Sequence, residues 1–467
     1  MLQRLGFIAF LVVLYLLGAM LHAHTHLWLL QSLMGLVFLG LVTAMYLRVL
    51  PALLALPLLA IALAAIAGMH WQAIFTTVVQ EGSVRLGKWI IAAILGSVLA
   101  MVVEKSGIAQ TAIKKTAELG GDRPIILAVL LTIVIAVLFT TLGGLGAVIM
   151  VATIVIPILL SLGLRPLYVA CLFLIAMSLG GAFNLVNWEA YKDTLGMTNA
   201  QIGAFAWPFA VLMLITTFVF LAIEGKRMGK ARFKAVLNEP ETAHPFVPWY
   251  ALLTPVVPLV PVLVFTLLSR LCPHAAAYDF PITVALLLGI IYGAITTWRK
   301  GQSTVQLLTK AAFDGVSAVG PAVVLMIGIG MVLNATMAAE VSGVITPLIA
   351  KVAPSSRHGV GAMTHYVILF TILAPLALYR GPLNLYGMGA GLLQPLKGLM
   401  PVGAIMGAFT AVGMIQGVCD PTNTHNVWIA NYTNTEVQDI LKRTMPYMWI
   451  LAFLGLLLSA VLYYGVR

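Results

Sequence analysis

The sequence predicts an all-α polytopic membrane protein of two inverted repeats, with about 11 transmembrane helices and two re-entrant hairpins. Of the 467 residues, 61% are hydrophobic and 9% are charged, and the mean hydropathy is +1.04. A typical soluble chain is about 45–50% apolar and about 25% charged. The composition therefore excludes a soluble enzyme, a nucleic-acid-binding protein and a disordered scaffold. Continuous apolar runs such as 125–139 exclude the alternating pattern of a membrane β-barrel. The division into two inverted repeats is predicted from an internal repeat in the sequence.

The first half of the chain supplies an extra N-terminal helix and the first repeat. The extra transmembrane helix lies within residues 1–25, and repeat 1 covers 26–224. The segment 124–164 can cross the membrane twice, or enter and return as a re-entrant hairpin. The broken helix at 167–199 follows, interrupted at Asn184. The other predicted crossings are 26–47, 50–69, 88–104 and 205–223.

A basic linker at 225–247 separates the two halves and is expected in the cytoplasm, where loops collect Lys and Arg. Repeat 2 covers 248–467, with a re-entrant hairpin at 360–396 and a broken helix at 401–430. Its other predicted crossings are 250–269, 280–298, 319–337 and 446–464. Counting crossings puts the N-terminus in the cytoplasm and the C-terminus outside the inner (plasma) membrane.

Six paired features recur in the same order in both halves, which predicts the repeat. Gly143 lies 14 residues before Pro157, as Gly381 lies 14 before Pro395. Other pairs are Glu81-Gly82 with Asp314-Gly315, Glu104-Lys105-Ser106-Gly107 with Glu340-Val341-Ser342-Gly343, and Asn184-x-x-Asn187 with Asn423-x-x-Asn426. The crossing count gives the halves opposite orientations. Glu81 and Asp314 are expected to head helices, where acids complement the dipole.

Four breaks in the apolar helices, at 140–146, 180–187, 379–384 and 417–426, mark the candidate site. Non-helical backbone survives at bilayer depth only beside protein or a water-filled cavity. Glycine admits close backbone approach, and helix ends offer N–H groups to anions and C=O groups to cations. These features predict a small-anion site beside a cation. The candidate substrate-binding residues are Thr140, Thr141, Gly143, Gly144, Asn184, Asn187, Arg380, Gly381, Asn384, Thr422, Asn423 and Asn426.

Two charged residues fall at the second-half breaks. Arg380 follows a long apolar run, and its guanidinium suits a substrate carboxylate; alternatively it snorkels to an interface or pairs with Asp420 or Glu189. Asp420 can bind Na⁺ with Thr and Asn oxygens, carry a proton, or cap the next half-helix. The candidate coupling-ion or proton residues are Asp420, Thr424 and His425, and a lone His is often structural. No catalytic residue, metal centre or cofactor is predicted, apart from Na⁺ as a coupling ion.

This layout resembles the ion transporter superfamily, which includes divalent anion/Na⁺ symporters, citrate–metal symporters, gluconate permeases and some Na⁺/H⁺ antiporters. The resemblance rests on Glu104–Gly107, the tip Leu142–Gly146 with Ile156-Pro157, and Asp420–Asn426. It implies a homodimer with elevator-like motion, and two half-sites. One half-site would contain Thr140, Thr141, Gly143 and Asn184; the other would contain Arg380, Gly381, Asn384, Thr422 and Asn423. The tips here lack the Ser-Asn-Thr of the divalent anion symporters.

The sequence thus favours a secondary-active transporter rather than an enzyme. It would import a citrate-like hydroxy- or polycarboxylate with H⁺ or Na⁺, by an elevator-type mechanism. The alternative is a cation/proton antiporter without organic substrate, which Asp420 and His425 could serve, although Arg380 would repel its cation. The expected partners are the anion, H⁺ or Na⁺, the lipid bilayer and a second copy, and no nucleic acid. The sequence has no ATP-binding loop of the Walker type.

Overall fold

The computed structural model describes residues 27–46, 49–120, 124–161, 163–227, 247–271, 279–298, 303–354 and 359–465. All regular elements in these ranges are helical. Eight of the described helices are long and apolar enough to cross a membrane, and nine spans result when one bent pair is counted. This confirms the polytopic α-helical membrane class. The predicted helix within 1–25 and most of the linker 225–247 lie outside the described residues.

Nine main helices form the first half of the chain. They are α1 (Leu27–Tyr46), α2 (Ala52–Ile66), α3 (Gly87–Lys105), α4 (Ile108–Gly120), α5 (Pro124–Phe139), α6 (Gly144–Ser161), α7 (Pro166–Gly181), α8 (Leu185–Leu195) and α9 (Asn199–Arg227). Between α2 and α3, short helical pieces at Trp71–Ala73 and Gly82–Val84 flank a π-helix at Ile74–Glu81. The predicted hairpin segment 124–164 covers α5 and α6, and the predicted broken helix 167–199 covers α8 and all but the first residue of α7; the re-entrant hairpin and the domain boundaries stay predictions.

Nine further helices form the second half. They are α10 (Leu259–Leu271), α11 (Ile282–Thr296), α12 (Thr304–Met337), α13 (Ala339–Ala350), α14 (Val360–Leu373), α15 (Ala390–Lys397), α16 (Val402–Cys419), α17 (Thr424–Tyr432) and α18 (Val437–Tyr464). Two 3₁₀ segments, Trp249–Leu253 and Ala374–Arg380, precede α10 and follow α14.

The structure adds two helices that hydropathy did not predict, and it corrects two positions. Helix α4 is too short and polar to cross, but its residues Ile108 and Ile113 are fully buried. Helix α13 has 12 residues. Glu81 and Asp314 do not head helices: Glu81 ends the π-helix, and Asp314 lies within α12. Asp314 instead forms a 2.6 Å ion pair with Lys105.

The chain divides into two compact units, and each combines segments from both halves of the sequence. The first unit comprises Met1–Gly87, Pro321–Gln416 and Leu456–Arg467, and the second comprises Lys88–Gly320 and Gly417–Gly455. Each unit therefore has a core in which elements of the two halves pack together.

In the first unit, Gly82 of the first half packs directly on α12 of the second. A Cβ at Gly330 would overlap the carbonyl oxygen of Gly82, and a Cβ at Gly82 would lie 2.8 Å from the Cα of Met331. Only glycine permits this approach. In the same unit, the buried Tyr366 hydroxyl on α14 donates to the Ala404 carbonyl across 2.9 Å and shares a second 2.9 Å hydrogen bond with the Ser459 hydroxyl, in which it is the acceptor.

In the second unit, Gly315 of the second half packs on α3 of the first. A Cβ at Gly315 would lie 2.9 Å from the Cα of Val98, and the Ser97 hydroxyl donates to the Gly315 carbonyl across 2.8 Å. The acid-Gly motif of each half thus packs against a long helix of the other half. A two-fold relation between the halves requires reciprocal contacts of this kind. The boundaries of the two repeats stay a prediction.

Candidate functional site

The first hairpin tip and the first helix break are joined by backbone and side-chain hydrogen bonds. Helix α5 ends at Phe139 and α6 begins at Gly144, whose φ of +82° reverses the chain. Helices α7 and α8 meet at a 51° bend around residues 182–184. The backbone N–H of Leu185, at the start of α8, donates to the Thr140 carbonyl at the tip across 3.3 Å. Tip and break therefore form one local structure.

Asn184 is the residue that holds this structure together. Its side chain is 7% exposed, and Nδ2 donates to the carbonyls of Phe139 (3.0 Å) and Leu142 (2.9 Å). Its Oδ1 accepts from Val186 N–H across 3.0 Å, which caps α8. Both amide hydrogens are thus used within the protein. The structure gives Asn184 a positioning role at the tip.

Gly180 allows α7 to pack tightly against the arm of the hairpin. A Cβ there would overlap the Ala136 carbonyl oxygen and lie 3.0 Å from the Cβ of Phe139. A Cβ at the adjacent Gly181 would meet nothing within 4 Å. The glycine pair before the break therefore has one residue required by packing and one that is not.

The second break, residues 420–423 between α16 and α17, centres on a buried acid. Asp420 is 0% exposed, and its Oδ1 accepts from the backbone N–H (2.8 Å) and hydroxyl (2.7 Å) of Thr422. The carboxylate thus forms an Asx turn that shapes the break. Its Oδ2 has no hydrogen-bond partner among the described residues. The hydrogen bonds from Thr422 therefore use only Oδ1 of the carboxylate, and Oδ2 stays available to a ligand or a proton.

The two breaks share one stabilising contact. Asn187 Nδ2 donates to the Gly181 carbonyl and Asn426 Nδ2 donates to the Asp420 carbonyl, each across 3.0 Å and six residues back. The N-cap positions differ. Asn184 caps α8 with its side chain, whereas Asn423 heads α17 without a side-chain cap.

At the first hairpin tip and the second break, four buried polar atoms of Thr, Asp and Asn side chains lack a hydrogen-bond partner within the described part of the chain. They are Thr141 Oγ1, Asp420 Oδ2, Asn423 Nδ2 and Asn426 Oδ1. None of these four residues is more than 2% exposed. Buried polar groups are almost always satisfied, and an unsatisfied group costs about 1–3 kcal/mol. Four such atoms at the tip and the second break indicate a site for a polar ligand.

The elements carrying these atoms pack together inside the second unit. Helix α17 contacts both α6 and α7. A Cβ at Gly417, just before the second break, would lie 3.0 Å from the Ser178 hydroxyl oxygen on α7. The first hairpin, the first break and the second break thus belong to one packed assembly. Ser178, 7% exposed, was missed in the sequence because no motif distinguishes it from other helical serines.

The remaining predicted positions of this unit are less buried. Thr140 is 8% exposed, and its hydroxyl donates to the Val137 carbonyl across 2.7 Å. Gly143 is half-buried and Gly144 is exposed. Thr424 is exposed at the start of α17, and His425 beside it is half-buried. Thr424 is therefore the weakest of the predicted ion ligands.

Arg380, Gly381 and Asn384 belong to the first unit, in the loop that joins the 3₁₀ segment after α14 to α15. Tyr379 and Arg380 adopt φ values of 57° and 58°, in the left-handed region that non-glycine residues rarely occupy. Arg380 is half-buried, and its Nη1 donates to the Tyr386 carbonyl across 3.1 Å. Consecutive left-handed residues cluster at ligand-binding loops, which favours a functional role for this turn.

The loop is closed by its own backbone and by Asn384. Asn384 is 1% exposed, and its Oδ1 accepts from Tyr386 N–H across 2.8 Å. Its Nδ2 has no hydrogen-bond partner in the described ranges. A Cβ at Gly381 would overlap the Leu376 carbonyl oxygen, so Gly381 is a packing requirement of the turn.

Three charged networks that lie outside the predicted site hold helices together. Glu224, 3% exposed, accepts from Arg227 (3.0 Å), Arg443 (3.2 Å) and the Tyr447 hydroxyl (2.9 Å), and so ties α9 to α18. Glu189 lies 3.9 Å from Lys192, whose Nζ lies 2.6 Å from Asp279. In the first unit, Asn334 accepts from Arg85 (2.9 Å) and donates to the π-helical Thr77 carbonyl (2.8 Å).

Comparison with known proteins identifies a fold. No family model and no curated protein sequence matches the chain. In structure, the chain is similar to the YdaH transporter of Alcanivorax borkumensis, described as having an unusual topology. The TM-score is 0.59 at 17% sequence identity, over 84% of this chain and 89% of that chain. The likeness does not reach the ion transporter superfamily specifically. The chain is a multi-pass membrane protein with the fold of a solved transporter.

Proposed function

We propose that this protein is a secondary-active transporter that imports a small organic anion, a citrate-like hydroxy- or polycarboxylate, together with H⁺ or Na⁺. One observation carries the proposal: Asp420, fully buried at a break between α16 and α17, has a carboxylate oxygen without a partner among the described residues. A buried carboxylate needs a compensating charge or a proton. The shared transporter fold supports a transport role for that charge.

The chemistry of the unpartnered atoms supports a coupling cation or proton in the second unit. Three of the four atoms are oxygens, on Thr141, Asp420 and Asn426. Carboxylate, amide and hydroxyl oxygens are ligands for hard cations such as Na⁺. A proton on Asp420 Oδ2 would satisfy the same carboxylate without metal ligation. Asp420 and Asn426 are therefore the coupling residues that we favour.

Donor groups support an anionic substrate. In the second unit, Asn423 Nδ2 is unpartnered in the described part of the chain and heads α17, where helix N–H groups favour negative charge. In the first unit, Arg380 lies in a turn with left-handed backbone at Tyr379 and Arg380. Gly381 follows it, and the buried Asn384 belongs to the same loop. The guanidinium of an arginine pairs with a carboxylate in bidentate fashion. Asn184 and Asn187 act in this proposal by shaping the tip and the first break.

Several finer features belong to the proposal. The protein would work as a homodimer by elevator-type alternating access, as a member of the ion transporter superfamily, in the inner (plasma) membrane. Its N-terminus would be cytoplasmic and its C-terminus extracytoplasmic. Two broken helices of membrane-spanning length, α7–α8 and α16–α17, support alternating access around buried breaks.

A cation/proton antiporter without organic substrate is the second candidate. The three unpartnered oxygens of Thr141, Asp420 and Asn426 favour it, since they suit a cation. The strained Arg380 turn is left without a role in that function.

Transport in liposomes separates the two functions. The purified protein is reconstituted, a Na⁺ or pH gradient is imposed, and radiolabelled citrate, malate, succinate and gluconate are offered. The proposal expects gradient-dependent uptake of at least one carboxylate, several-fold above empty liposomes. Cation exchange detected by a pH-sensitive dye, with no carboxylate taken up, would establish the antiporter instead.

A further inference from the structure

The first unit contains an apolar cavity that the proposed transport function does not use. Its volume is about 220 Å³. Helices α1, α2, α12, α13 and α15 line it, with residues such as Met34, Phe38, Leu63 and Ile349. Engineered apolar cavities of about 150 Å³ stay dry and bind small apolar molecules. This cavity is therefore large enough for an apolar ligand.

The two polar side chains of the lining, Gln31 and Thr336, each donate a hydrogen bond within the protein. Gln31 Nε2 donates to the Val344 carbonyl across 3.1 Å, and the Thr336 hydroxyl donates to the Leu333 carbonyl across 3.1 Å. The wall that an occupant would touch is almost entirely apolar. The ligand that fits is a hydrocarbon.

The cavity reaches the surface of the unit at leucine side chains. Leu39 is 64% exposed and Leu348 is 43% exposed, and both belong to the lining. In a membrane protein, exposed apolar residues on a membrane-length helix such as α1, which carries Leu39, face acyl chains. Two residues beyond the lining residue Ile349, the exposed Lys351 is the C-cap residue that follows α13. Its positive charge complements the phosphate of an anionic lipid.

Gly35 supplies the open space. It belongs to the lining on α1, and a Cβ placed there would meet no atom within 4 Å. The lining also includes Met388 and Gly391, which belong to the segment that leads from the Arg380 loop into α15. An occupant of the cavity would therefore touch the arm that carries this loop.

We propose that the cavity binds one acyl chain of an anionic bilayer phospholipid, with the headgroup at Lys351. The lipid completes the packing between α1, α13 and α15 and supports the Arg380 loop. A lipid held in this way is a structural partner of the transporter rather than a transported substrate.

Photo-crosslinking tests the proposal in the full-length protein. Wild-type protein is reconstituted with phosphatidylglycerol that carries a diazirine in one acyl chain, irradiated, and mapped by peptide mass spectrometry. We expect labelling concentrated on the lining peptides that contain Met34 and Met388. Gly35→Leu fills the open space and should reduce this labelling about fivefold or more. Gly40→Leu, an exposed position on the same helix that also has no atom within 4 Å, should leave it unchanged.

Two further arms keep the test decisive. If Gly35→Leu does not fold, Gly35→Ala adds a smaller group at the same place and should give a partial loss. Lys351→Gln should lower labelling by the phosphatidylglycerol probe and leave labelling by the matching phosphatidylcholine probe unchanged. Equal labelling of the lining in wild type and the Gly35 variants overturns the proposal. Absent labelling, with Cys crosslinks from position 35 to a second copy or to residues before Leu27, overturns it in favour of a protein occupant.

Discussion

The Asn426 side-chain amide donates a 3.0 Å hydrogen bond to the backbone carbonyl of Asp420, across the break between α16 and α17. This bond satisfies a carbonyl that the end of α16 leaves without a helical partner. It also fixes the position of the acid, because Asp420 and Asn426 are both 0% exposed. The geometry of the break therefore depends on this pair.

Replacing Asn426 by Ala removes that hydrogen bond and one unpartnered oxygen of the candidate site. We expect a loss of about 1–3 kcal/mol in stability, because the buried Asp420 carbonyl loses its donor. Uptake should fall by tenfold or more. Thermal unfolding in detergent and uptake in liposomes measure the two effects. Asn431→Ala, at an exposed position on the same helix, serves as the control and should behave as wild type.

Replacing Arg380 tests the anion site without adding backbone strain. Arg380→Gly removes the guanidinium at φ 58°, a conformation that glycine adopts readily, so folding should be retained. We expect the KM for the carboxylate to rise at least tenfold. Arg380→Lys keeps a charge without the planar fork and should recover only part of the affinity. Uptake by Arg380→Gly at the wild-type KM would remove Arg380 from the substrate site.

Replacing Asn184 tests the positioning role. Asn184→Ala breaks two buried hydrogen bonds to the tip carbonyls and the cap of α8. We expect a stability loss of about 2–4 kcal/mol, from the unsatisfied carbonyls and the lost cap. Uptake should fall mainly through the maximal rate and the amount of folded protein. A rise in KM alone, with unchanged melting temperature, would instead make Asn184 a substrate ligand.

The adjacent glycines before the first break form a matched pair. Gly180→Ala forces a methyl group onto the Ala136 carbonyl, and overpacking of this kind costs about 1–3 kcal/mol or more. Gly181→Ala meets open space and should leave the melting temperature within a degree or two of wild type. Thermal unfolding of the two variants compares them directly. Equal melting temperatures would show that α7 and α5 do not pack as closely as described.

Hydropathy was enough to predict the polytopic helical class, while the repeats, the re-entrant hairpins and the site residues stay predictions. Long apolar runs and helix-breaking residues are local signals, so one sequence contains them. Helix α4 was not predicted from hydropathy, because an amphipathic helix has no long apolar run. Ser178 and the Glu224 network were not predicted either, because their contacts join helices that are far apart in the sequence.

The roles of the candidate residues also depended on three-dimensional contacts. Asn184 and Asn423 occupy equivalent positions in the repeat pattern of the sequence. In the structure, Asn184 Nδ2 donates to two carbonyls of the hairpin tip, whereas Asn423 Nδ2 has no partner in the described residues. The sequence alone did not distinguish a capping role from an ion-binding role for Asp420. In the structure, Oδ1 accepts from Thr422 N–H, whereas Oδ2 has no partner in the described residues.

The most direct test of the account is concentrative uptake by wild type and Asp420→Asn in the same liposomes under an imposed Na⁺ or pH gradient. Asp439→Asn, an exposed acid on α18, is the control. The account predicts that wild type and Asp439→Asn accumulate the labelled carboxylate several-fold above equilibrium, whereas Asp420→Asn only equilibrates it. Accumulation by Asp420→Asn equal to wild type, or no accumulation by wild type under either gradient, would contradict the account.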